Sequence, residues 1–451
     1  MHRRFLHLLF HNAWLESRQQ VATNYIKVLD EVSVTKRSLT IFIPHPSALL
    51  TDHLPHGDGL TAFGFLDHLA KRHHELHVAA PESALRHPLP SNVTLYPVKC
   101  RVKAPILTQL EYMLRVRLLF NKLRRKFRFD LIHQMNPVYS GLSLALIGSG
   151  IPLVLGTYVA RWPDDPDSVR SALPGVNYLL RRSRELVCRL QQSQASTLLL
   201  TTPAAMNRIP AGKSVDEKIS FLQHGVDVSV FSPASKSARS SEPLSILFFA
   251  NLWKRKGIYV LLSAFPQIAE AIPGCRLTVA GGGDGLPEVR SWIEEMGLKD
   301  QIDLLGPIAR SAAPELFRKH SVYCMPSLGE PYGMTALEAM SCGLAVVASN
   351  DGGLGHLLPQ EGSILVAPGL ADDLASALID VLRSPERRLQ MGLFNREYAI
   401  QHFAWPAVVN ELERIYQDTL SRAQRSTETG RVASLACRTS ASTSNSVVPP
   451  K

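Results

Sequence analysis

The apolar positions of the chain fall into short runs of four or five residues, separated by longer stretches with helical periodicity. The first part of the chain holds six such runs: Leu39–Ile43, Leu76–Ala80, Asp130–His133, Pro152–Leu155, Thr197–Thr201 and Ile219–Leu222. The second part holds six more: Ile246–Ala250, Arg276–Ala280, Ile302–Leu305, Val322–Met325, Ala345–Ala348 and Ser363–Val366. Continuous apolar strands that alternate with helices are typical of parallel sheets covered on both faces. The pattern therefore predicts an α/β protein with two parallel sheets.

A stretch rich in Pro, Ser and Ala at residues 232–243 separates the two sets of strands and predicts a linker. The predicted organisation is an N-terminal extension (1–38), a first Rossmann-like domain (39–235), a second one (240–404), a C-terminal helix (405–422) and a disordered tail (423–451). Ligands of doubly wound sheets bind beyond the carboxyl ends of the strands, so two facing domains would place a cleft between those ends.

The charge of the chain is uneven. The 451 residues carry a net charge of +10, with an excess of 13 basic residues over residues 1–240 and a balance of −3 over residues 241–451. A basic first domain makes an anionic membrane surface a candidate partner, whereas nucleic acid is disfavoured because no recognisable binding module accompanies the charge. The six cysteines form no CxxC pair and no run reaches the ~20 apolar residues that cross a bilayer, so we expect reduced thiols in a cytoplasmic protein.

Two glutamates follow the predicted strand that ends at Met325. Glu330 lies in a loop, and Glu338 lies about a turn and a half into a helix that begins near Gly333. At 1.5 Å per helical residue the carboxylates stand roughly 10 Å apart, which suits the two ends of a long ligand. Free N–H groups at the helix start favour a phosphate between them, and carboxylates bind hydroxyls, so a sugar–diphosphate–ribose ligand has the right order of groups. A simpler alternative is that Thr335 and Glu338 form only a capping box.

Three further loops follow predicted strands. One contains Asn251 and Lys256, and a fixed ammonium there would stabilise charge on a leaving diphosphate. The next begins at Gly281, but it lacks the third glycine of a nicotinamide fingerprint. In the first domain Gly57 and Gly59 belong to a glycine-rich loop, which lets the backbone approach a phosphate closely.

These segments resemble the signature of retaining glycosyltransferases with two Rossmann domains, the GT-B fold, in the large family four that includes bacterial mannosyl- and glucosyltransferases. The resemblance runs from about Leu39 to Tyr416 and is most specific in the E-x7-E motif of Glu330 and Glu338. It implies that Glu330 contacts the donor sugar and that Glu338 holds the ribose hydroxyls. It also implies that four backbone amides lie against the sugar and the phosphates: those of Tyr332, Gly333, Met334 and Thr335.

The resemblance assigns Lys256 to the donor diphosphate and implies no metal or other cofactor. It places the loops of Gly57, Gly59 and Gly281 beside the diphosphate and the nucleotide. A second diphosphate ligand, an Arg in the family, is replaced by Asn251.

A His that lies near the reacting sugar in the family is replaced by Val159. The candidates to take its place are Tyr158, Arg161 and a loop histidine.

Two weaker signals complete the pattern. Asp165 and Asp167 fit the D-x-D pattern of metal-dependent glycosyltransferases but do not follow an apolar strand, and eight histidines between His45 and His87 show no repeating spacing. We therefore expect no metal site. Leucines and basic residues of the stretch 114–128 resemble an interfacial helix as much as a surface helix that packs its leucines on the sheet.

We therefore expect a retaining hexosyltransferase that uses a nucleotide-diphosphate sugar and a glycan or lipid-linked acceptor in cell-surface polysaccharide or glycolipid biosynthesis, either in the cytoplasm or peripherally on the inner membrane face. Glu330 and Lys256 are the expected catalytic residues, although neither glutamate needs to act as a nucleophile. Asn251 and Val159 leave a non-catalytic nucleotide-sugar-binding protein open as an alternative. A soluble synthase that acts on a small or glucan acceptor is the third hypothesis.

Overall fold

The apolar runs of the first domain pair into a seven-stranded parallel sheet in the computed structural model, which describes residues 37–138, 140–161, 174–209, 213–234 and 243–443. In chain order the strands are β1 (Thr40–Ile43), β2 (Leu50–Thr51), β3 (Glu75–Ala80), β4 (Ser83–Ala84), β5 (Val93–Pro97), β6 (Leu131–Gln134), β7 (Leu153–Tyr158), β8 (Thr197–Leu200) and β9 (Ile219–Phe221). The sheet order is β5-β3-β1-β6-β7-β8-β9, and β2 pairs with β4 outside it. The order runs outward from β1 and β6, as in a doubly wound Rossmann sheet.

The second domain repeats this arrangement with six parallel strands. They are β10 (Ser245–Phe249), β11 (Arg276–Ala280), β12 (Ile302–Gly306), β13 (Val322–Met325), β14 (Ala345–Ser349) and β15 (Ser363–Val366). Their order is β12-β11-β10-β13-β14-β15. The order in which the strands are added therefore reverses between β10 and β13, and this position is the topological switch point of the sheet. The predicted fold class, two Rossmann-like domains with parallel sheets, is confirmed.

Helices cover the two sheets. In the first domain they are α1 (Gly57–Lys71), α2 (Pro105–Leu123), α3 (Pro174–Gln194) and α4 (Lys213–Asp216). In the second domain they are α5 (Ile258–Ala271), α6 (Leu286–Glu295), α7 (Ala313–Arg318), α8 (Met334–Ser341), α9 (Leu354–Leu357), α10 (Ala371–Arg383) and α11 (Pro385–His402). The described part of the chain ends with α12 (Trp405–Thr443), and none of the described helices has both the length and the apolarity needed to cross a membrane.

One strand of the first sheet escaped the sequence analysis. Strand β5 has the sequence Val-Thr-Leu-Tyr-Pro, in which apolar and polar residues alternate, and it lies at the edge of the sheet. An edge strand is covered less than a central one and needs no continuous apolar run, so its alternating pattern differs from the apolar runs of the central strands.

The first sheet has a different helical layer on each face. Ile41 and Ile43 of β1 pack in one buried cluster with Leu66 of α1 and residues of α12. Phe42 points the other way because side chains alternate along a strand, and its ring lies 5.1 Å from that of Phe120 in α2. Helix α12 is therefore a structural part of the first domain, although it follows the second domain in the chain.

Trp405 fixes the start of α12 against the first domain. Its ring lies edge-on to Phe65, with centroids 5.2 Å apart, and stacks on His68 at 5.2 Å. A Cβ atom added to Gly64 or Gly225 would overlap this ring. The two glycines therefore make room for the indole.

The predicted boundary of the C-terminal helix was wrong. Helix α12 extends to Thr443, so residues 423–443, which we expected in a disordered tail, are helical. This stretch contains Ala, Arg, Gln and Glu, which favour helices, and no proline interrupts it. Residues 1–36 of the N-terminal extension, 235–242 of the linker and 444–451 of the tail lie outside the described residues.

We expect Gly64→Ala to lower the melting temperature, because the added methyl group overlaps the Trp405 ring and overpacking costs about 1–3 kcal/mol. In a Trp405→Leu background the same replacement should cost much less, since the clashing ring is absent. Differential scanning fluorimetry of the four proteins measures both effects. Gly57→Ala is the matched control in α1, because an added Cβ there meets no atom within 4 Å. Equal costs of Gly64→Ala in the two backgrounds would contradict this packing.

Candidate functional site

Two loops meet at the switch point of the second sheet, between β10 and β13. One follows β10 and contains Lys256, and the other follows β13 and contains Glu330. The Lys256 Nζ atom donates a hydrogen bond of 2.7 Å to Glu330 Oε2, and the two side chains are 15% and 7% exposed. Ligands of doubly wound sheets bind at this switch point, so the two expected catalytic residues lie together where the fold favours a ligand.

Gly257 allows these two loops to approach. Its φ angle is +75°, and an added Cβ would overlap the carbonyl oxygen of Pro326. The Leu328 amide donates to the Arg255 carbonyl oxygen at 2.8 Å, which ties the loops together. A side chain at position 257 would separate the loops and with them the Lys256–Glu330 pair.

Glu338 is buried in α8, with 1% of its surface exposed, and forms an ion pair with Arg310. Burial raises the pKa of the Glu338 carboxyl, and the Arg310 guanidinium opposes this shift. Glu338 Oε2 has no hydrogen-bond partner among the described residues. The carboxylate therefore has one oxygen that is held by the protein and one that can accept a hydrogen bond from a ligand hydroxyl.

The capping-box alternative is wrong. Thr335 Oγ1 accepts a hydrogen bond of 2.6 Å from the hydroxyl of Tyr323, and Glu338 pairs with Arg310. Helix α8 starts after Gly333, which provides no side-chain cap. Gly333 has φ +94°, a conformation that favours glycine, and it turns the chain from the loop of Glu330 into the helix. Met334 and Thr335 form the first turn of α8, as the sequence predicted.

The loop of Glu330 is supported from a neighbouring strand. The Gly353 amide, beyond β14, donates to the Glu330 carbonyl oxygen at 2.6 Å. A Cβ at Gly352 would overlap the same carbonyl. Sequence analysis missed this support and also missed Arg310, because neither lies in the E-x7-E segment.

Asn251 and Gly281 flank the site from the β10 and β11 side. Gly281 has φ +140°, and an added Cβ would overlap the Ala250 carbonyl oxygen, so the glycine loop lies directly against the loop that follows β10. Asn251 is exposed, and the Arg255 guanidinium stacks over the Trp253 ring at 4.7 Å. These residues therefore lie at the edge of the switch point, and Asn251 adds no positive charge there.

Tyr332 joins the two domains. Its hydroxyl oxygen accepts a hydrogen bond of 2.7 Å from the His224 amide, and the two rings lie 4.5 Å apart. The Tyr332 side chain is 4% exposed, and burial raises the pKa of its hydroxyl far above the usual value. The residue whose backbone we expected beside the sugar therefore also fixes the first domain against the second.

An open cavity of about 120 Å³ lies in the first domain next to this contact. It is bordered by the loop after β1, the start of α1 and the loops after β6 and β7, and its polar lining includes Asp58, Thr61, Asn136, Thr157, Arg208 and His224. The surrounding protein raises the pKa of Asp58 by reducing its hydration, although hydrogen bonding to Asn136 opposes the shift. Hydroxyl, amide and carboxyl groups of this kind suit a hydroxylated ligand.

The glycines of the first loop lie at the start of α1, beside the cavity. A Cβ at Gly59 would overlap the Leu49 carbonyl oxygen, and the Gly59 amide donates to His56 Nδ1 at 3.0 Å. Gly57 has open space around its Cα atom. Gly59 is therefore required by packing, whereas Gly57 leaves the surface free for a ligand.

Val159 lines the cavity beside His224. His224 Nε2 lies 2.6 Å from the Thr157 hydroxyl, and burial lowers the pKa of this imidazole to about 4, so it is neutral. Among the three kinds of candidate for the absent family His, a loop histidine, His224, lies at the cavity. Tyr158 is buried, and its hydroxyl donates to the Val138 carbonyl oxygen at 3.2 Å, which is a structural role.

The residues that were weighed as possible metal ligands do not assemble in the part of the chain that the structure describes. Among the described residues no group of three or more His, Cys, Asp and Glu side chains is arranged to hold a metal ion. Asp52 bonds two of the clustered histidines, His53 and His87, at 2.8 Å each. Asp165 and Asp167 lie outside the described residues.

Two facing Rossmann domains with a polar site at the switch point of the second define the GT-B class of proteins. The family model for "Glycosyl transferases group 1" matches residues 233–398, and that for "Glycosyltransferase Family 4" matches residues 59–230. The chain therefore belongs to the GT-B glycosyltransferases of family four. The family expected from the sequence is confirmed.

Curated relatives and a solved structure agree with this placement. The phosphatidyl-myo-inositol mannosyltransferase of Mycobacterium tuberculosis is 32% identical over 209 residues, which are 44% of this chain and 53% of the relative. The D-inositol 3-phosphate glycosyltransferase of Corynebacterium glutamicum is 27% identical over 75% of this chain and 84% of its own. The structure of Anabaena HepE in complex with UDP-glucose has a TM-score of 0.64 at 18% identity, over 85% of this chain and 100% of that one. The chain spans about half the length of several curated relatives that it matches.

We expect Arg310→Ala to weaken binding of a nucleotide sugar most strongly at acid and neutral pH. Without the guanidinium the pKa of the Glu338 carboxyl rises further, so a larger fraction of the carboxyl is protonated. Raising the pH should restore part of the affinity, and Arg310→Lys should resemble the wild type. Isothermal titration calorimetry across pH 6–9 provides the measurement. A loss of affinity that is equal at every pH would contradict the electrostatic role of Arg310.

Proposed function

We propose that the chain is a retaining hexosyltransferase that uses a nucleotide-diphosphate sugar and needs no metal. The observation that carries this proposal is the pair of buried carboxylates, Glu330 and Glu338, each paired with a cation, on either side of the start of α8. The free oxygen of Glu338 suits a ribose hydroxyl, and the helix start between the carboxylates suits the diphosphate.

The chemistry follows from the charges at the site. In the proposed reaction the bond between the sugar C1 atom and the diphosphate oxygen breaks, the acceptor oxygen forms a bond to C1 on the same face, and the acceptor proton passes to the departing phosphate. Lys256 and the start of α8 stabilise the negative charge of the leaving diphosphate. Glu330 is held by Lys256 and accepts hydrogen bonds from sugar hydroxyls, so it orients the donor and does not serve as a nucleophile.

The proposed acceptor site is the cavity of the first domain. Its hydroxyl, amide and carboxyl groups suit a hydroxylated acceptor, and its contact through His224 and Tyr332 joins it to the donor domain. The relatives are named for inositol-containing acceptors, which are polyols, and the Anabaena neighbour binds UDP-glucose. We propose a glycan or lipid-linked acceptor, in cell-surface polysaccharide or glycolipid synthesis at the inner membrane face, and we take UDP-sugars as the first donors to test.

A non-catalytic nucleotide-sugar-binding protein is the second candidate, because Asn251 and Val159 replace an Arg and a His of the family pattern. The neutral His224 beside Val159, and Lys256 with its ammonium fixed on Glu330, favour turnover. Binding without turnover would favour the second candidate.

We expect one class of nucleotide sugar to raise the melting temperature of the wild type and to do so equally in EDTA. A ligand at 100 times its Kd that binds only the folded state stabilises it by about 2.7 kcal/mol. The increase should disappear in Glu338→Ala, which lacks the proposed ribose ligand. A thermal-shift panel of UDP-, GDP-, ADP- and dTDP-sugars gives the result. No increase with any donor at concentrations well above about a millimolar would show that the donor site is wrongly assigned.

We expect Lys256→Gln to lower kcat for transfer by about 10²–10³, because it removes a fixed positive charge from the leaving group. Release of nucleoside diphosphate from the donor selected by the panel, with a cellular lipid extract as the acceptor source, gives the rate. Lys254→Gln, an exposed neighbour in the same turn, is the matched control. If Lys256→Gln retained the wild-type kcat, Lys256 would have no part in leaving-group stabilisation.

A further inference from the structure

Helix α2 has an apolar stripe on the face that points away from the protein. Its inner face is formed by four buried residues: Tyr112, Val116, Phe120 and Leu123. Five other apolar side chains of the same helix are between 54% and 61% exposed: Ile106, Leu107, Leu110, Leu114 and Leu118. At 100° per residue these five lie within roughly one third of the helix circumference, on the side opposite the buried residues. The core contact of α2 therefore does not use these leucines.

The stripe continues onto the neighbouring elements of the same sheet face. Arg117 donates to the carbonyl oxygens of Ala145 and Ile147 at 3.0 and 3.2 Å, so the turn that follows β6 lies directly beside α2. On the far side of that turn, the Val187 side chain of α3 lies against Gly141. These neighbouring elements carry three further exposed apolar side chains: Ile147 (48%), Leu186 (59%) and Leu190 (48%). We call this set of eight exposed side chains the α2–α3 surface.

Basic residues border the α2–α3 surface. Residues 99–128 contain ten Lys and Arg and a single acidic residue, Glu111, which pairs with Arg115 at 2.7 Å. Eight of the basic side chains are exposed: Lys99, Arg101, Lys103, Lys122, Arg124, Arg125, Lys126 and Arg128. They lie before and after the stripe along the chain, so positive charge is present at both ends of the apolar helix face.

We propose that the α2–α3 surface inserts into the interface of an anionic lipid bilayer. An exposed apolar helix face with flanking basic residues matches both parts of such an interface, the acyl boundary and the anionic headgroups. A second copy of the chain fits less well, because it would bring the same excess of positive charge against its own kind.

This docking places the proposed active site near the bilayer. The Tyr112 hydroxyl donates to the carbonyl oxygen of Pro44 at 3.0 Å, just beyond the end of β1. The cavity of the first domain begins at the adjacent Pro46. A lipid-linked acceptor could thus reach the cavity while its anchor stays in the membrane. The inference deepens the proposed function by naming the partner surface. Only the role of this docking in delivering an acceptor rests on the proposed function.

Co-sedimentation of the full chain with vesicles tests the proposal. We expect binding to vesicles of phosphatidylcholine with phosphatidylglycerol, at least about tenfold weaker binding to phosphatidylcholine alone, and release by salt. Leu114→Gln/Leu118→Gln and Arg124→Gln/Arg125→Gln/Lys126→Gln should each weaken binding to the anionic vesicles by about tenfold or more.

Matched control variants carry equivalent changes on the second domain. Leu370→Gln/Leu389→Gln replaces leucines that are 51% and 41% exposed, and Lys299→Gln/Lys319→Gln replaces lysines that are 63% and 59% exposed. Both controls should bind as the wild type does. Circular dichroism and the melting temperature verify that every variant is folded, which the exposure of all replaced side chains favours.

Three results would overturn the proposal. These are absence of wild-type binding to anionic vesicles, wild-type binding by both the leucine variant and the Arg124→Gln/Arg125→Gln/Lys126→Gln variant, and a dimer that Leu114→Gln/Leu118→Gln converts to a monomer while vesicle binding is unchanged. Light scattering identifies the last case. The donor thermal shift is measured on the same proteins without lipid. A wild type that binds vesicles but no nucleotide sugar would remove the proposed function and leave the docking surface in place.

Discussion

The site depends on the cost of burying negative charge. Glu330 and Glu338 are both almost fully covered by protein, and a buried carboxylate stays ionised only when a cation or hydrogen-bond donors replace the lost water. Lys256 and Arg310 supply the cations, and each comes from a loop that follows a different strand, β10 or β12. The loops beyond these strands must therefore converge on α8. Gly257, Gly281 and Gly333 are the positions where this convergence leaves no room for a side chain or requires a left-handed backbone.

The contact between the domains uses a different kind of interaction. Tyr332 follows directly from the loop of Glu330, and its hydroxyl bonds to the backbone of His224, which itself lines the cavity of the first domain. A displacement of one domain would therefore move Tyr332 or His224, which lie next to the proposed sugar positions. Trp405 holds a second connection, since it packs against Gly64 and Gly225 and passes the chain back to the first sheet. The two domains are coupled by two short, buried links.

Sequence pattern was sufficient for the sheets and for the placement of Glu330 in a loop and Glu338 in a helix, because both have local signals. A buried parallel strand must be a continuous apolar run, and Glu330 and Glu338 lie on a single loop and helix. The features that the sequence did not reveal arise from residues far apart in the chain. Arg310 lies in a short turn without periodicity, and only the fold brings it to Glu338. Likewise, by periodicity alone the leucines of α2 fit an interfacial helix and a surface helix packed on the sheet equally well, and the fold shows that Leu114 and Leu118 are exposed whereas Leu123 is buried. The length of α12 was underestimated because residues 423–443 are rich in Ser and Thr, which predict a disordered tail, yet no proline ends the helix there.

The return of α12 also sets an order of events during synthesis. Val408, Leu412 and Tyr416 belong to the same buried cluster as Ile41 and Ile43, so one side of the first sheet is covered only by α1 while the ribosome makes the whole second domain. The strands of the first domain end at Phe221, but its hydrophobic core is completed only from Trp405 onward, 184 residues later in the chain (405 − 221). While the second domain is synthesised, a nascent chain of this protein therefore presents an incompletely covered apolar sheet face, which is the kind of surface that chaperones hold.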